Sequence, residues 1–165
     1  MVSVDFIVEL PEAHGFSMVM VVVDSVGKHT HFIPTNTTIT VLGTAWSFLN
    51  NVWKLHRLPI NVLSDRGPQF IAEFMQELYR LLGIKMSAST AYHPQSDSQT
   101  KCVNQELEQY IQLFISERQN DWDELLLLGE FQYNNHIHAS TQHTPFLLDT
   151  GRMPQMGFQP NTVDS

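Results

Sequence analysis

The stretch Leu58–Phe70, LPINVLSDRGPQF, decides the fold of this chain. Its residues Ile60, Val62 and Leu63 predict a short buried strand, because they are apolar and mostly β-branched. The Arg-Gly-Pro that follows cannot continue a strand, and a proline suits the first turn of a helix. Asp65 is therefore predicted at the carboxyl end of a buried strand, where open α/β sheets place functional groups. A role as a helix cap or turn residue is an equally weighted alternative.

The composition indicates one globular domain. The chain has 165 residues, of which 42% are hydrophobic and 16% charged. We expect a core domain at residues 1–154 and a loosely ordered, Pro-, Gly- and Gln-rich tail at 155–165. The lone Cys102 excludes an internal disulfide and a multi-cysteine zinc site. No apolar run reaches the length that spans a membrane and nothing resembles a signal peptide, so no membrane partner is expected.

The charge of the chain argues against strong binding of nucleic acid. The net charge is −8, which is the wrong sign for a domain that holds phosphate backbones by electrostatics alone. Acidic residues are concentrated between Lys101 and Glu130, where two basic residues face seven acidic ones. We therefore expect any contact with DNA to be weak.

Hydrophobic periodicity predicts an α/β fold. Three strands at Val2–Val8, Met18–Val23 and His29–Pro34 are close in sequence and predict an antiparallel meander, and Thr40 is predicted to cap a helix over Val41–His56. The later predicted elements are the strand at 60–63, a helix at Gln69–Leu82 ended by Gly83, a fifth strand at Ile84–Ser87, a loop at Ser89–Gln99, a long helix from about Asp97–Gln99 to about Glu117, a helix at Trp122–Asn134 and a short helix at Thr144–Thr150 ended by Gly151. This order predicts a five-stranded mixed sheet flanked by helices.

Two carboxylates on this predicted sheet suggest a metal site. Asp5 lies on the first strand and Asp65 at the end of the fourth, so the two meet if those strands are neighbours. Paired carboxylates suit Mg²⁺ or Mn²⁺, which prefer hard oxygen ligands. Such ions can activate a nucleophile and stabilise the leaving oxygen in phosphodiester chemistry.

The chain also resembles a known family, the integrase catalytic cores of Ty3/gypsy-type long-terminal-repeat retrotransposons. The similarity extends over nearly the whole chain, to about Pro154. The matching segments are Asp5-Phe6-Ile7 with Leu10-Pro11, Val21-Val22-Val23-Asp24, His31-Phe32-Ile33-Pro34, Leu63–Phe70 (LSDRGPQF), Leu81–Ile84 (LLGI), Ser89–Gln95 (STAYHPQ), Val103-Asn104-Gln105 with Leu107-Glu108, Asp121-Trp122, Tyr133-Asn134-Asn135 and Thr144-Pro145-Phe146.

The resemblance implies a ribonuclease H-like fold and a triad of two Asp and one Glu that binds Mg²⁺ or Mn²⁺. Asp5 and Asp65 match the two Asp positions. The family's Glu follows the second Asp after thirty-five intervening residues, and here that position is Lys101. The neighbours differ as well, since Ser98 stands where the family usually has Gly and Cys102 where it has Arg.

Lys101 changes the expected chemistry, because it exchanges a carboxylate for an ammonium beside a dication. It is predicted either to pair with Asp5 and Asp65 in place of metal or to extend into solvent. Asp97, one helical turn upstream, is the only plausible substitute ligand, although a cap of the long helix is its favoured role. Glu106 and Glu108 lie downstream, and Glu108 is two turns away, which is too far.

Two functions follow from different classes. The favoured one is an integrase core that has lost catalysis and persists as a fold that binds DNA or protein. The alternative is a working metal-dependent polynucleotidyl transferase that uses a substitute third ligand. A protein-interaction module built on the subunit-pairing surface is a third possibility.

The resemblance further implies partners and a location. Gln95, Gln99 and Asn104 lie in or beside the loop and helix face that approach DNA in the family, although hydrogen bonding in turns and caps explains them equally well. A homodimer and a nuclear location are likewise implied.

Subunit pairing in integrase cores uses regions that correspond to the helices at Val41–His56 and Trp122–Asn134. Trp46, Trp53 and Trp122 are candidate interface anchors. The apolar residues of both helices are more safely interpreted as core.

Histidine pairs give a weaker metal signal. His29 and His31 share one face of a strand, but no third ligand is near them in sequence, so a packing or surface role is favoured. The same holds for His136 and His138.

Overall fold

The computed structural model describes residues 1–85, 105, 109, 112–113 and 121–154. Four strands form one mixed sheet in the spatial order β3-β2-β1-β4. They are β1 (Val2–Ile7), β2 (Met18–Asp24), β3 (Thr30–Thr35) and β4 (Val62–Leu63). The first three strands pair antiparallel, as the sequence predicts, while β4 runs parallel to β1.

The predicted fifth strand is not found in the part of the chain that the structure describes. Ile84 and Lys85 belong to no strand. Gly83 adopts a φ of +68°, and the Ile84 N–H donates to the Tyr79 carbonyl at 2.9 Å, which turns the chain back on the preceding helix. Ile84 is left 46% exposed, so its apolar side chain does not enter the sheet. Met86 and Ser87, the rest of the predicted strand, lie outside the described residues.

Helices cover both faces of the sheet. Thr40 caps the first helix as predicted, since its Oγ1 accepts from the Gly43 N–H at 3.0 Å. The helix predicted over Val41–His56 is an α-helix followed by a π-helical turn at Leu49–Trp53, and it ends three residues earlier than predicted because the chain turns at 54–56. The α-helices whose bounds the structure describes are α1 (Val41–Phe48), α2 (Pro68–Leu81), α3 (Trp122–Asn134) and α4 (Pro145–Thr150).

The sheet separates two apolar layers, because alternate residues of a strand point to opposite faces. Val4 belongs to the layer covered by α1 and α2, with Phe48 and Phe74 packed edge to face at a centroid distance of 5.5 Å. Ile7 belongs to the layer covered by α3, where Trp122 is 1% exposed. Each face of the sheet therefore has its own buried core.

Several predictions fall on residues that the structure does not describe. Among residues 97–117, only Gln105, Gln109, Gln112 and Leu113 are described, and they are helical. The predicted tail at 155–165 and the division of the chain at that point stay predictions. Among the described helices, none has the length and apolar character needed to cross a bilayer.

Candidate functional site

Asp5 is buried in the middle of the sheet. It lies on β1 opposite Val21 of β2 and is 8% exposed. Ser3, two residues earlier on the same face of the strand, donates its hydroxyl to Asp5 Oδ2 at 2.6 Å. A carboxylate in this setting is held in one orientation by the strand that carries it.

Asp65 lies directly beside Asp5. Strand β4 ends at Leu63, whose neighbour Ser3 is on β1, and the chain continues alongside β1 for two more residues. The Asp65 backbone N–H then donates to Asp5 Oδ1 at 2.9 Å. The structure thus brings together the two aspartates that the sequence singles out, and their role as metal ligands stays a prediction.

A tight turn behind Asp65 fixes the start of α2. Gly67 has a φ of +91° and a ψ of 174°, a conformation that is open essentially to glycine alone, and Pro68 is the first residue of the helix. The Arg66 guanidinium carbon lies 3.7 Å from the Phe6 ring centroid and 5.5 Å from that of Phe70. This cation–π contact holds the turn against β1 and α2. The sequence did not predict it, because Arg66 and Phe6 are sixty positions apart.

The two carboxylates repel each other, and this repulsion affects the pKa of Asp65. Partial burial of the carboxyl group raises the pKa of Asp65 above its ordinary value of 3.8, the charge of Asp5 and a hydrogen bond with Asp5 raise it further, and Arg66 opposes the shift. Like charges held this close destabilise each other, and a divalent cation between them would relieve the repulsion.

The donor set fits a hard divalent ion at two of the three positions that a triad requires. Both groups are carboxylates, whose oxygens are the hard ligands that Mg²⁺ and Mn²⁺ prefer, and Asp5 accepts a hydrogen bond at each of its two oxygens. The third position, Lys101, lies outside the described residues, as do Asp97, Gln95, Gln99 and Asn104.

The structure assembles a second group that the sequence did not reveal. His29, His31 and His56 each place one ring nitrogen within 4.8 Å of those of the other two. Nothing in the sequence predicts that His56 lies beside His31, because the two are twenty-five residues apart and no motif links His56 to β3.

The other histidine pair that the sequence raised does not form such a group. His138 Nδ1 accepts from the Ser140 N–H at 3.2 Å, which is a turn contact, and His136 is exposed. Within the described ranges, no cluster of potential ligands includes either residue.

The three tryptophans have different surroundings. Trp122 is core rather than an interface anchor, because it is 1% exposed and its Nε1 donates to the Pro11 carbonyl at 2.6 Å. Trp46 and Trp53 are 49% and 39% exposed.

A family model supports what the geometry suggests. The model described as "Integrase core domain" matches residues 1–94 of the chain. The chain belongs to the integrase core domain family. Its matched part contains both Asp5 and Asp65.

Relatives of this integrase core include transposon polyproteins. The chain is 33% identical over 144 residues to the Transposon Tf2-3 polyprotein of Schizosaccharomyces pombe (strain 972 / ATCC 24843). That match covers 87% of the chain and 11% of the polyprotein, so the chain spans only about a ninth of the length of this relative.

Solved retroviral integrase cores have the same fold. The catalytic core domain of BIV integrase superposes with a TM-score of 0.62 at 19% identity, covering 91% of this chain and 93% of that one. The HTLV-2 integrase catalytic core, solved in complex with magnesium in a trimeric form, gives a TM-score of 0.60 at 16% identity, covering 89% of this chain and 95% of that one. These similarities place the four-stranded sheet within the ribonuclease H-like integrase core fold.

Proposed function

We propose that this chain is the integrase core of a Ty3/gypsy-type retrotransposon that keeps its aspartate pair and has lost catalysis of DNA integration. The observation that carries the proposal is the contact of the Asp65 N–H with Asp5 Oδ1 at 2.9 Å, which places two carboxylates side by side. In the sequence, the family's third acid is replaced by Lys101.

The described residues perform the positioning that a catalytic core requires. Ser3 orients Asp5, the end of β4 delivers Asp65 to it, and Gly67 lets α2 begin directly behind the pair. Divalent ions bound by a complete triad supply an activated nucleophile and stabilise the leaving oxygen of a phosphodiester. The aspartate pair is the part of that triad which this chain retains.

The charge of Lys101 is the reason for proposing lost catalysis. An ammonium in place of a carboxylate removes an attraction to the metal and adds a repulsion. One unit-charge pair near 4 Å is worth about 4 kcal/mol at an effective dielectric of 20. An effect of that order is enough to empty one of two metal sites.

A strand-transfer assay tests the proposal. Purified parent, Asp65→Asn, Lys101→Glu and Lys101→Glu/Asp65→Asn proteins are incubated with end-labelled duplex and supercoiled plasmid in Mn²⁺. We expect no product from the parent and measurable joining or nicking from Lys101→Glu that Asp65→Asn abolishes. Turnover by the parent that Asp65→Asn abolishes would contradict lost catalysis and support the alternative, an active polynucleotidyl transferase with a substitute third ligand such as Asp97.

Weak DNA binding and a nuclear location form a second part of the proposal. The family relation supports a DNA partner, and the net charge of −8 supports low affinity. Gln95, Gln99 and Asn104 are the proposed contacts. A fluorescence-anisotropy titration at several salt concentrations should give a shallow salt dependence, and the triple alanine variant of these residues should bind less than the parent.

A homodimer through α1 and the π-helical turn is the third part. Trp46 and Trp53 are large aromatic residues left partly exposed on this segment, and the HTLV-2 integrase core has been solved in dimeric and trimeric forms. Light scattering should give a dimer mass for the parent and a monomer mass for Trp46→Glu. Val26→Glu is the matched control, because Val26 is 75% exposed in the turn between β2 and β3. A monomeric parent would contradict this part.

A further inference from the structure

Three imidazoles converge on the face of the sheet opposite to the carboxylate pair. His31 pairs with Val22, which in turn pairs with Val4, and directly paired residues of antiparallel strands share a face. Asp5 is the next residue after Val4 and so points to the other face. The histidine cluster, which comprises His29, His31 and His56, is therefore a separate group from the aspartate pair.

Glu130 of α3 fixes the tautomer of His31. Its Oε1 lies 3.1 Å from His31 Nδ1, and its Oε2 accepts from the Phe32 N–H at 2.9 Å. The carboxylate is thereby anchored and favours a proton on Nδ1. His31 Nε2, buried with the rest of the side chain, is left with its lone pair.

Asp149 of α4 lies near the Nδ1 atoms of both His56 and His29. Its Oδ1 lies 3.5 Å from His56 Nδ1, and its Oδ2 lies 3.3 Å from His29 Nδ1, which has no aligned hydrogen-bond partner among the described residues. A proton on His56 Nδ1 would again leave Nε2 with its lone pair.

If both Nδ1 atoms carry the proton, the two Nε2 lone pairs point at each other. His31 Nε2 and His56 Nε2 are 2.9 Å apart, a distance at which two unprotonated nitrogens repel unless a cation or proton lies between them. Two imidazole nitrogens bound to one tetrahedral Zn²⁺ at 2.0–2.1 Å are about 3.3 Å apart. A small separation of the rings would therefore accommodate a metal ion.

The cluster is also accessible. It lines a cavity of about 580 Å³ together with Asp149 and apolar residues such as Phe48 and Val52. The His29 ring stacks on His31 at a centroid distance of 5.0 Å and contacts His56 at 5.2 Å, so the third imidazole is in place.

We propose that His29, His31 and His56 bind one late first-row divalent transition metal, of which Zn²⁺ is the expected ion. Three imidazoles suit Zn²⁺, Co²⁺ or Ni²⁺ and not Mg²⁺, and carboxylates hydrogen-bonded to the far nitrogens are the usual outer partners of metal-bound histidine. The fourth position is taken by water. The ion ties the edge strand β3 to the segment that follows α1, so its role is structural and independent of DNA chemistry.

Binding of Co²⁺ tests the site directly, because tetrahedral Co²⁺ has characteristic visible absorption. Tag-free protein, stripped with chelator, is titrated with CoCl₂ and then with ZnCl₂ in the presence of excess Mg²⁺. We expect one equivalent of Co²⁺ to give a tetrahedral spectrum that Zn²⁺ removes and Mg²⁺ leaves unchanged. A parent protein that gives no such spectrum would overturn the proposal.

Variants assign the ligands. His56→Gln should weaken Co²⁺ binding at least a hundredfold, and Glu130→Gln, which keeps all three imidazoles, about ten- to a hundredfold. His136→Gln, which changes an exposed histidine outside the cluster, should bind Co²⁺ as the parent does. Unchanged binding by His56→Gln and Glu130→Gln would overturn the proposal, and the Glu130→Gln result is decisive if His56→Gln fails to fold.

Discussion

The aspartate pair and the histidine cluster lie on opposite faces of one sheet and differ in how they are built. The aspartate pair joins β1 to the residues just after β4, and its second member is exposed to solvent. The histidine cluster is mostly buried and is held by residues from α3 and α4. Substitution of a charged group near solvent changes the free energy of unfolding little. Substitution of a buried polar group destabilises the domain, because it leaves buried partners without hydrogen bonds. The difference implies that Asp65 can be substituted at a lower cost to the fold than the buried histidines.

The largest expected effect is a loss of folding stability on the side of the histidine cluster. Asn134, 0% exposed, accepts from the Thr30 N–H at 2.9 Å and donates to the Thr30 carbonyl at 2.8 Å, which fixes the start of β3 beside the histidine cluster. Asn134→Ala leaves both buried backbone groups without partners and should cost about 2–4 kcal/mol in urea unfolding. Asn51→Ala, at an exposed position, is the control and should change stability by less than about 0.5 kcal/mol. Equal stability of the two variants would show that the start of β3 is not held in this way.

The next largest effect is a loss of stability at the turn after Asp65. Gly67→Ala should destabilise the domain by about 1–3 kcal/mol, because a φ of +91° strains any residue with a Cβ. No atom lies within 4 Å of the added carbon, so the cost comes from the backbone alone. Thermal unfolding measures it, and a variant as stable as the parent would contradict the turn geometry.

A smaller effect concerns the charge of the aspartate pair. Because Asp5 helps to raise the pKa of Asp65, Asp5→Asn should lower that pKa. A carboxyl group whose pKa is raised by folding destabilises the folded state as pH rises through that pKa. Asp65→Asn should therefore have a higher Tm than the parent at pH 7. Carbon-detected NMR titration of Asp65 and a pH series of melting curves give the two readouts, and an unchanged Asp65 pKa in Asp5→Asn would break the proposed coupling.

The smallest effect is at the surface. Asp123 of α3 lies 3.0 Å from His14 Nδ1, and the hydrogen bond with Asp123 raises the pKa of His14 above 6.5. The stabilisation is full below pH 6.5 and is lost as pH rises through the raised pKa. In Asp123→Asn, the pKa of His14 followed by proton NMR should fall toward 6.5. An unshifted value would show that the two side chains do not interact in solution.

The sequence predicted what local pattern encodes. Continuous β-branched residues predicted β2, and the Pro68 start and Gly83 end predicted α2. The sequence predicted that Asp5 and Asp65 meet if the first and fourth strands are neighbours, and the structure shows that these strands are neighbours. These features depend on residues close in sequence or on a family motif.

The remaining features depend on contacts between distant residues. His56 meets His31 only because the segment after α1 reaches the edge strand β3, which no periodicity shows. The fifth strand was predicted from a short apolar run, but the turn at Gly83 leaves Ile84 exposed. Nor could the sequence distinguish the core residue Trp122 from the exposed Trp46.

Calorimetric titration with Mn²⁺ tests the central claim most directly. Parent and Lys101→Glu proteins are compared in a His56→Gln background, so that binding at the histidine cluster does not contribute. Lys54→Glu, with the same charge change at an exposed residue, is the control. The account predicts that Lys101→Glu binds Mn²⁺ at least tenfold more tightly than the parent, about 1.4 kcal/mol, and that Lys54→Glu does not. Equal affinity of the parent and Lys101→Glu would contradict the claim that Lys101 disables the metal site of the aspartate pair.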